Sequence, residues 1–353
     1  MRFGLLAIVL GFAGGHAAEL KLNQLQAIGS HNSYHLAPPP ALLDRLGAMN
    51  PDWAEAWDYS HPPLVEQLDA GVRQFELDIF SDEKGGLFAQ PLGLRLMKIA
   101  GATTPPFDPE GLLKKPGFKV LHIPDADYGS QAPTLSLALS QMLAWSGKHP
   151  RHLPVMILLE CKDQPQPPLP TKPEKLTRER LLALEKEVLS VIPAERILRP
   201  DDVRGKHPTL REAVLGDGWP SIESLRGKFL FALDNTDAVR DRYLEDNLAL
   251  EGRLIFVSAP DEQHPAAGWF KCNDPVREFD HIRQLVEAGF LVRTRSDQPG
   301  SKPLQQTKAI DSGAQWVSSD RFAAGHPQRV SLPGGLMVRS NPASGGDGQA
   351  IEP

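Results

Sequence analysis

Short apolar runs alternate with amphipathic stretches along most of this chain. Residues 72–80 set the pattern: Phe75, Leu77 and Ile79 fall on one face and Gln74, Glu76 and Asp78 on the other, the period of a strand. Residues 154–162 are almost continuously apolar until Glu160 and Lys162, as expected of a strand covered on both faces. Comparable runs at 25–28, 118–124, 226–234, 253–258, 290–295 and 315–319 bring the expected strands to eight. Helical spacing of apolar residues appears at 64–70, closed by Gly71, and at 134–147, 177–191, 276–288 and 303–312. Strands alternating with helices predict an α/β fold, a TIM-type (β/α)8 barrel of parallel strands. No internal repeat of solenoid or propeller length interrupts it.

The segments between these elements modify the barrel. Residues 38–63, rich in Pro and holding Trp53, Trp57 and Tyr59, read as a long loop at the catalytic end. Those aromatics either pack on the barrel, line a substrate mouth or touch a lipid surface. Residues 81–117 read as a second long loop and 164–173 as an extended proline-rich one. The barrel is expected over 19–325, followed by a partly flexible extension, 326–353, ordered around 330–338 and frayed in its last dozen residues. Residues 1–18 have the order of an export signal: Arg2, an apolar core from Leu5 to Phe12, then small residues before Glu19. That core is too short to span a bilayer. A protein exported to a periplasm or beyond the cell is expected.

A hydrophobic fraction of 41% supports a sizeable core, and a net charge of −6 without any basic tract argues against a nucleic-acid partner. Nothing points to an obligate protein partner. Cys161 and Cys272 either pair in an oxidising compartment or remain buried thiols.

Candidate chemistry gathers at strand ends. After the first run the octet 28–35 delivers His31, able to move a proton near neutral pH, and Asn32, whose amide oxygen suits a hard cation. Glu76 and Asp78 share a strand face that is either solvated or turned into the barrel lumen, where a cation would compensate them. His122 ends the third run, and with His31 it suggests an acid/base pair. Glu160 brings a further carboxylate, with Lys162 either its surface ion-pair partner or a substrate contact. Arg293 and Arg295, two residues apart, would meet a phosphate or headgroup if they face the lumen, and are ordinary surface arginines otherwise. Zinc held by His31, His35 and His122 fits less well, because the other candidates are oxygen donors.

Four segments in this order, Gly29-Ser30-His31-Asn32-Ser33-Tyr34, Phe75-Glu76-Leu77-Asp78, Val120-Leu121-His122 and Leu158-Leu159-Glu160, resemble the catalytic strands of the phosphatidylinositol-specific phospholipase C superfamily. More narrowly, they are similar to the bacterial calcium-dependent phosphoinositide phospholipases C. The resemblance implies a phosphodiesterase that binds Ca2+ through Asn32, Glu76, Asp78 and Glu160, with His31 and His122 flanking the phosphodiester. It implies attack by the inositol 2-hydroxyl, with a calcium-bound carboxylate as base and protonated His31 stabilising charge. His122 would protonate the departing diacylglycerol oxygen, leaving a cyclic inositol phosphate that water can open. Lys162, Arg293 and Arg295 are the expected substrate contacts, and a phospholipid met in transient membrane contact is the expected partner. The fifth run offers Phe231-Ala232-Leu233-Asp234 where eukaryotic members carry lysines, which favours phosphatidylinositol itself over polyphosphorylated headgroups. A glycerophosphodiester phosphodiesterase is the nearest alternative, disfavoured by His31-Asn32 and His122-Ile123 where that family has His-Arg and His-Asp. A secreted lipid- or glycan-binding barrel without turnover is the other.

Overall fold

The strand predicted at 72–80 is buried along its whole length: all nine residues of Gln74–Asp82 are shielded from solvent. A computed structural model describes residues 19–352 except 105 and 299, so the expected export signal, 1–18, lies outside the described residues. Eleven strands follow in chain order: β1 (Leu25–Ser30), β2 (Gln74–Asp82), β3 (Gly117–Val120), β4 (Val155–Cys161), β5 (Ile197–Leu198), β6 (Phe229–Leu233), β7 (Ile255–Val257), β8 (Trp269–Lys271), β9 (Leu291–Arg295), β10 (Trp316–Ser319) and β11 (Val338–Ser340). Parallel pairing runs β8-β9-β10-β1-β2-β4-β6-β7. A single parallel bridge, Ser258 to Trp269, joins β7 back to β8. The eight parallel staves therefore curl into the expected α/β barrel, with helices such as Leu135–Lys148, Arg178–Val191 and Phe279–Ala288 in the connections.

Its membership differs from the expectation. The third expected strand is no stave, because β3 runs antiparallel to the far end of β2, Val120 opposite Ile79 and Gly117 opposite Asp82. β2 outlasts the barrel wall, and the chain folds back on that overhang. The missing stave is β8, three residues long and too short to leave a periodic signal. The loop expected at 38–63 holds two helices, Pro40–Met49 and Pro51–Trp57, and Leu92–Ile99 lies within the second long loop. Prolines read as breaks are the first helical residues there, where the missing N–H is no loss, and Asn50 caps the second helix by accepting from Asp52 N. Beyond the expected end of the barrel, β11 pairs antiparallel with Leu25–Ala27. Both cysteines are buried free thiols. No helix among the described residues is long and apolar enough to cross a membrane.

One buried group far from the barrel mouth gives the fold a pH dependence. His152 donates from Nδ1 to Leu153 O (2.6 Å) and accepts at Nε2 from Ser146 Oγ (2.7 Å), which itself accepts from Arg196 (2.5 Å). Burial, helped by the charges of Arg73 and Arg196, pushes the imidazole down to about 4. The unfolded histidine takes up a proton near pH 6.5 and the folded one resists, so stability is complete above that pH. It is expected to fall by on the order of 3 kcal/mol as pH drops towards 4. Urea unfolding of His152→Gln should show a flatter acid slope than the parent; an unchanged slope would mean that other groups set it.

Candidate active site

The site is built where β1 ends. Asn32 adopts φ 43°, a left-handed turn that asparagine tolerates better than most residues. Ser33 then ties the turn to β2: its N–H donates to Glu76 O (3.0 Å) and its Oγ accepts from Glu76 N (2.8 Å). On the other side His31 N donates to Ser319 O (3.2 Å), and His61 Nε2 donates to His31 O (2.8 Å). The polar turn between two staves holds His31 and Asn32 at the mouth.

His31 meets three groups. Nδ1 lies 2.8 Å from Asp320 Oδ1, Nε2 is 3.2 Å from Arg295 Nη1, and Glu76 Oε1 is 3.6 Å from Nε2. A guanidinium only donates, so Nε2 must accept there, which assigns the proton to Nδ1 and its hydrogen bond to Asp320. Arg295 also donates to Asp320 Oδ2 (3.0 Å). Burial alone would raise Asp320, but His31, His61 and Arg295 outweigh it and hold the carboxyl well below the usual range. Asp297 fixes the turn that carries it, accepting from Asp320 N (2.9 Å) and from Ser319 Oγ.

β2 and β4 place the acids in register, Asp78 opposite Glu160 and Glu76 opposite Leu158. One oxygen each of Glu76, Asp78 and Glu160 falls within 4.8 Å of the others. The burial of Glu76 and Asp78, the latter at 0% exposed, decides for the lumen and against a solvated face, while Glu160 is half-buried at the rim. Cations from the wall compensate them: Arg293, itself 1% exposed, pairs with Glu76, and Lys162 bridges Asp78 and Glu160 Oε2 (3.3 Å). Across the mouth Lys271 of β8 holds Asp234 (2.5 Å). Burial raises Asp78 despite Lys162, whereas Lys162 and Lys271 overcome burial at Glu160 and pull it down to about 2. Arg293 and Arg295 thus point inward, and Lys162 is tied to the acids.

The second histidine sits across a short loop. His122 Nδ1 donates to Asp127 Oδ2 (2.7 Å), and the same carboxylate takes His35 Nε2 (2.8 Å). His35 Nδ1 donates to Tyr59 O (2.9 Å), so both its nitrogens are engaged and no lone pair remains for zinc. Gly129 permits this approach of two loops, since a Cβ there would lie 2.2 Å from Leu36 O. Burial and the charge of Lys162 lower His122, against the pull of Asp127.

The donor set fits a hard cation. Asn32 Nδ2 donates to Tyr59 OH (3.2 Å), which leaves Asn32 Oδ1 buried without a hydrogen-bond partner, and Asp78 Oδ1 is orphaned likewise. Buried oxygens without partners, beside three clustered carboxylates, are what an oxygen-seeking cation would satisfy. Sequence reasoning did not reach Asp320, Asp127 or Lys271, and it placed Tyr59 only among the loop aromatics. Asp127 lay five residues beyond His122 and offered a local signal; the others are remote in sequence from the histidines and acids they meet.

A family model described as phosphoinositide phospholipase C, Ca2+-dependent, matches residues 20–342. Among solved structures the chain is similar to a calcium-dependent phosphoinositol-specific phospholipase C from a Gram-negative bacterium, Pseudomonas sp, at 15% identity and TM-score 0.57, over 91% of this chain and 95% of that one. It is also similar to a Ca2+-dependent phosphatidylinositol-specific phospholipase C from Streptomyces antibioticus, at 19% identity and TM-score 0.53, over 85% and 95%. At such identities the likeness speaks to the fold. No curated protein matches the chain. With the family pattern running from before β1 to the end of β11, the chain belongs to the Ca2+-dependent phosphoinositide phospholipase C family and is a phosphodiesterase of that type.

Proposed function

We propose that this protein cleaves phosphatidylinositol, or a close phosphodiester, to diacylglycerol and a cyclic inositol phosphate, with His31 as general base and His122 as general acid. The observation that carries the reading is His31 held between Asp320 and Arg295 beside the acid cluster. Arg295 donating to Nε2 favours the neutral imidazole, whose lone pair is released for a proton when substrate phosphate draws the guanidinium away. This departs from the role that the resemblance implied for a protonated His31, and makes the histidine rather than a carboxylate the base. His31 Nε2 takes the proton of the inositol 2-hydroxyl as its oxygen bonds to phosphorus, and Asp320 stabilises the imidazolium. Arg295 has by then turned from Nε2 towards the phosphoryl oxygens, where it meets the developing charge. His122 gives its proton to the glycerol oxygen as that bond breaks. Asp127 holds the ring in place through Nδ1 and stabilises its protonated form, so that Nε2 carries the proton that is given. Water opens the cyclic ester by the same groups in reverse.

Asn32, Glu76, Asp78 and Glu160 would hold calcium, which when bound supplies positive charge to the phosphate. Lys162 and Arg293 keep the acids compensated without it and would turn to the headgroup only as the ion takes the acids over, which leaves Arg295 as the first cation to meet the phosphate. Lys271, the cation that β6 lacks, is committed to Asp234, which supports an inositol without ring phosphates. Export, and contact with a membrane surface only during turnover, complete the reading.

The direct test incubates the protein with phosphatidylinositol vesicles, with calcium and then with chelator, and follows phosphorus NMR beside His31→Ala. A calcium-dependent cyclic phosphate absent from the variant is expected; no product in any condition would exclude phosphatidylinositol. Asp320→Asn is expected to lower kcat about 10²- to 10⁴-fold with little change in KM, because the ring loses its orientation and charge partner. Partial recovery in Asp320→Glu distinguishes this from a folding defect, and a KM effect alone would contradict the assignment.

A further inference from the structure

The two helices of the first long loop and the helix of the second enclose an apolar cavity of about 610 Å³. Leu42, Leu46, Trp53, Trp57, Leu96 and Ile123 are among the apolar residues of its wall. Its inner end adjoins the site: the Trp57 ring stands edge-on to His122 at 6.1 Å between centroids, and Ile123 is the next residue in the chain. Its outer end is exposed and apolar, with Met49 at 68%, Leu96 at 39% and Trp53 at 37%. The one buried charge in the wall, Asp125, is spent on the backbone N–H groups of Leu92 (2.9 Å) and Thr171 (2.8 Å). Arg45 and Gln166, the wall's other charged or amide residues, are exposed. A cavity of this size and lining takes a hydrocarbon, since it offers a polar ligand no buried partner.

We propose that this cavity receives one hydrocarbon chain of the leaving group. The inference rests on the phosphodiesterase reading above for what enters, and on continuity for where it enters. The group that protonates the leaving oxygen touches the cavity wall, so the chain attached to that oxygen's glycerol is the apolar part of the substrate nearest to it. The headgroup side of the phosphate faces the acids and arginines instead. Chain binding is then a property of single lipid molecules and does not require a membrane surface.

The test uses inositol phosphodiesters with methyl, hexyl, octyl and decyl leaving groups below their micelle concentrations, without vesicles. kcat/KM is expected to rise about fourfold per added methylene and then level off as the cavity fills. Ala48→Trp, a substitution at an exposed position of the wall, should cut the decyl-to-methyl ratio of kcat/KM about tenfold, and Leu96→Trp should do the same from the opposite helix. A second measurement needs no turnover: a terminally brominated decyl maltoside, kept monomeric, should quench the tryptophan emission lost in Trp53→Phe, and do so about tenfold more weakly in Ala48→Trp. Quenching without any phosphodiesterase activity would uphold the cavity as a chain site and fail the proposed reaction. Turnover with a flat chain-length series and no quenching would overturn the cavity proposal alone. A chain advantage seen only with vesicles, and no monomer quenching, would make the patch a surface contact and likewise overturn it.

Discussion

His31→Ala is expected to lower turnover of phosphatidylinositol about 10³- to 10⁴-fold, the range over which a positioned acid/base group acts, while substrate still binds. The size follows from how completely the fold commits this side chain. Its backbone is pinned between β10 and the His61 ring, its Nδ1 belongs to Asp320, and its Nε2 lone pair is the one unprotonated ring nitrogen facing Arg295 and Glu76. No neighbouring imidazole is arranged to replace it, because His35 has both nitrogens engaged, His61 donates its Nε2 hydrogen to His31 O, and His122 stands on a different loop with its own carboxylate. Stability should change little, as His31 is partly exposed and its removal leaves Asp320 still paired with Arg295. Steady-state release of inositol phosphate from vesicles checks the figure. A loss of less than tenfold would remove His31 from the proton transfer and return the base to a carboxylate.

Asp78→Asn is expected to abolish the response to calcium altogether. In the parent protein, calcium at a hundredfold excess over its dissociation constant should stabilise the fold by about 2.7 kcal/mol, read as a rise of a few degrees in Tm. In the variant the rise should vanish and calcium-dependent turnover should fall by about two orders of magnitude. The protein should nevertheless fold. Lys162 keeps Glu160 as a partner, and exchanging one of three clustered carboxylates, itself fully buried, for an amide relieves mutual repulsion. In chelator the variant is therefore expected to be no less stable than the parent. Thermal melts with and without calcium decide the matter independently of activity. A full calcium shift retained by Asp78→Asn would mean that the ion binds elsewhere.

The two expectations differ in how far the sequence foresaw them. Glu76 and Asp78 were legible because strand alternation puts them on one face, and only two environments exist for that face. Arg293, far away in the chain, closes the question by pairing with Glu76 inside the lumen. Asp320 was not legible. It follows β10 by one residue, and nothing in its neighbours distinguishes it from a loop acid. Its role depends on β10 lying beside β1 in parallel register, Ser319 opposite Ser30, which a local pattern does not encode. Tyr59 is a similar case, as is the meeting of Asp127 with His35 across Gly129, although Asp127 lies only five residues from His122.

By itself, the sequence determined what local periodicity and residue chemistry can determine. These are the parallel α/β architecture, the strand carrying Glu76 and Asp78, the arrival of His31, Asn32 and Glu160 at strand ends, and the oxygen-rich character of the donors. Those features follow from spacing within a few residues of each other, where backbone geometry leaves few choices. Tertiary structure alone decided that the three-residue β8 is a stave and that 118–120 is not. It decided that Asp320 and Arg295 share His31, that Lys162 and Arg293 neutralise the acids, and that two proline-started helices wall an apolar cavity beside His122. Each of these joins groups far apart in the chain, and which of many possible partners meet is settled only when the barrel closes and burial forces every charge to find compensation.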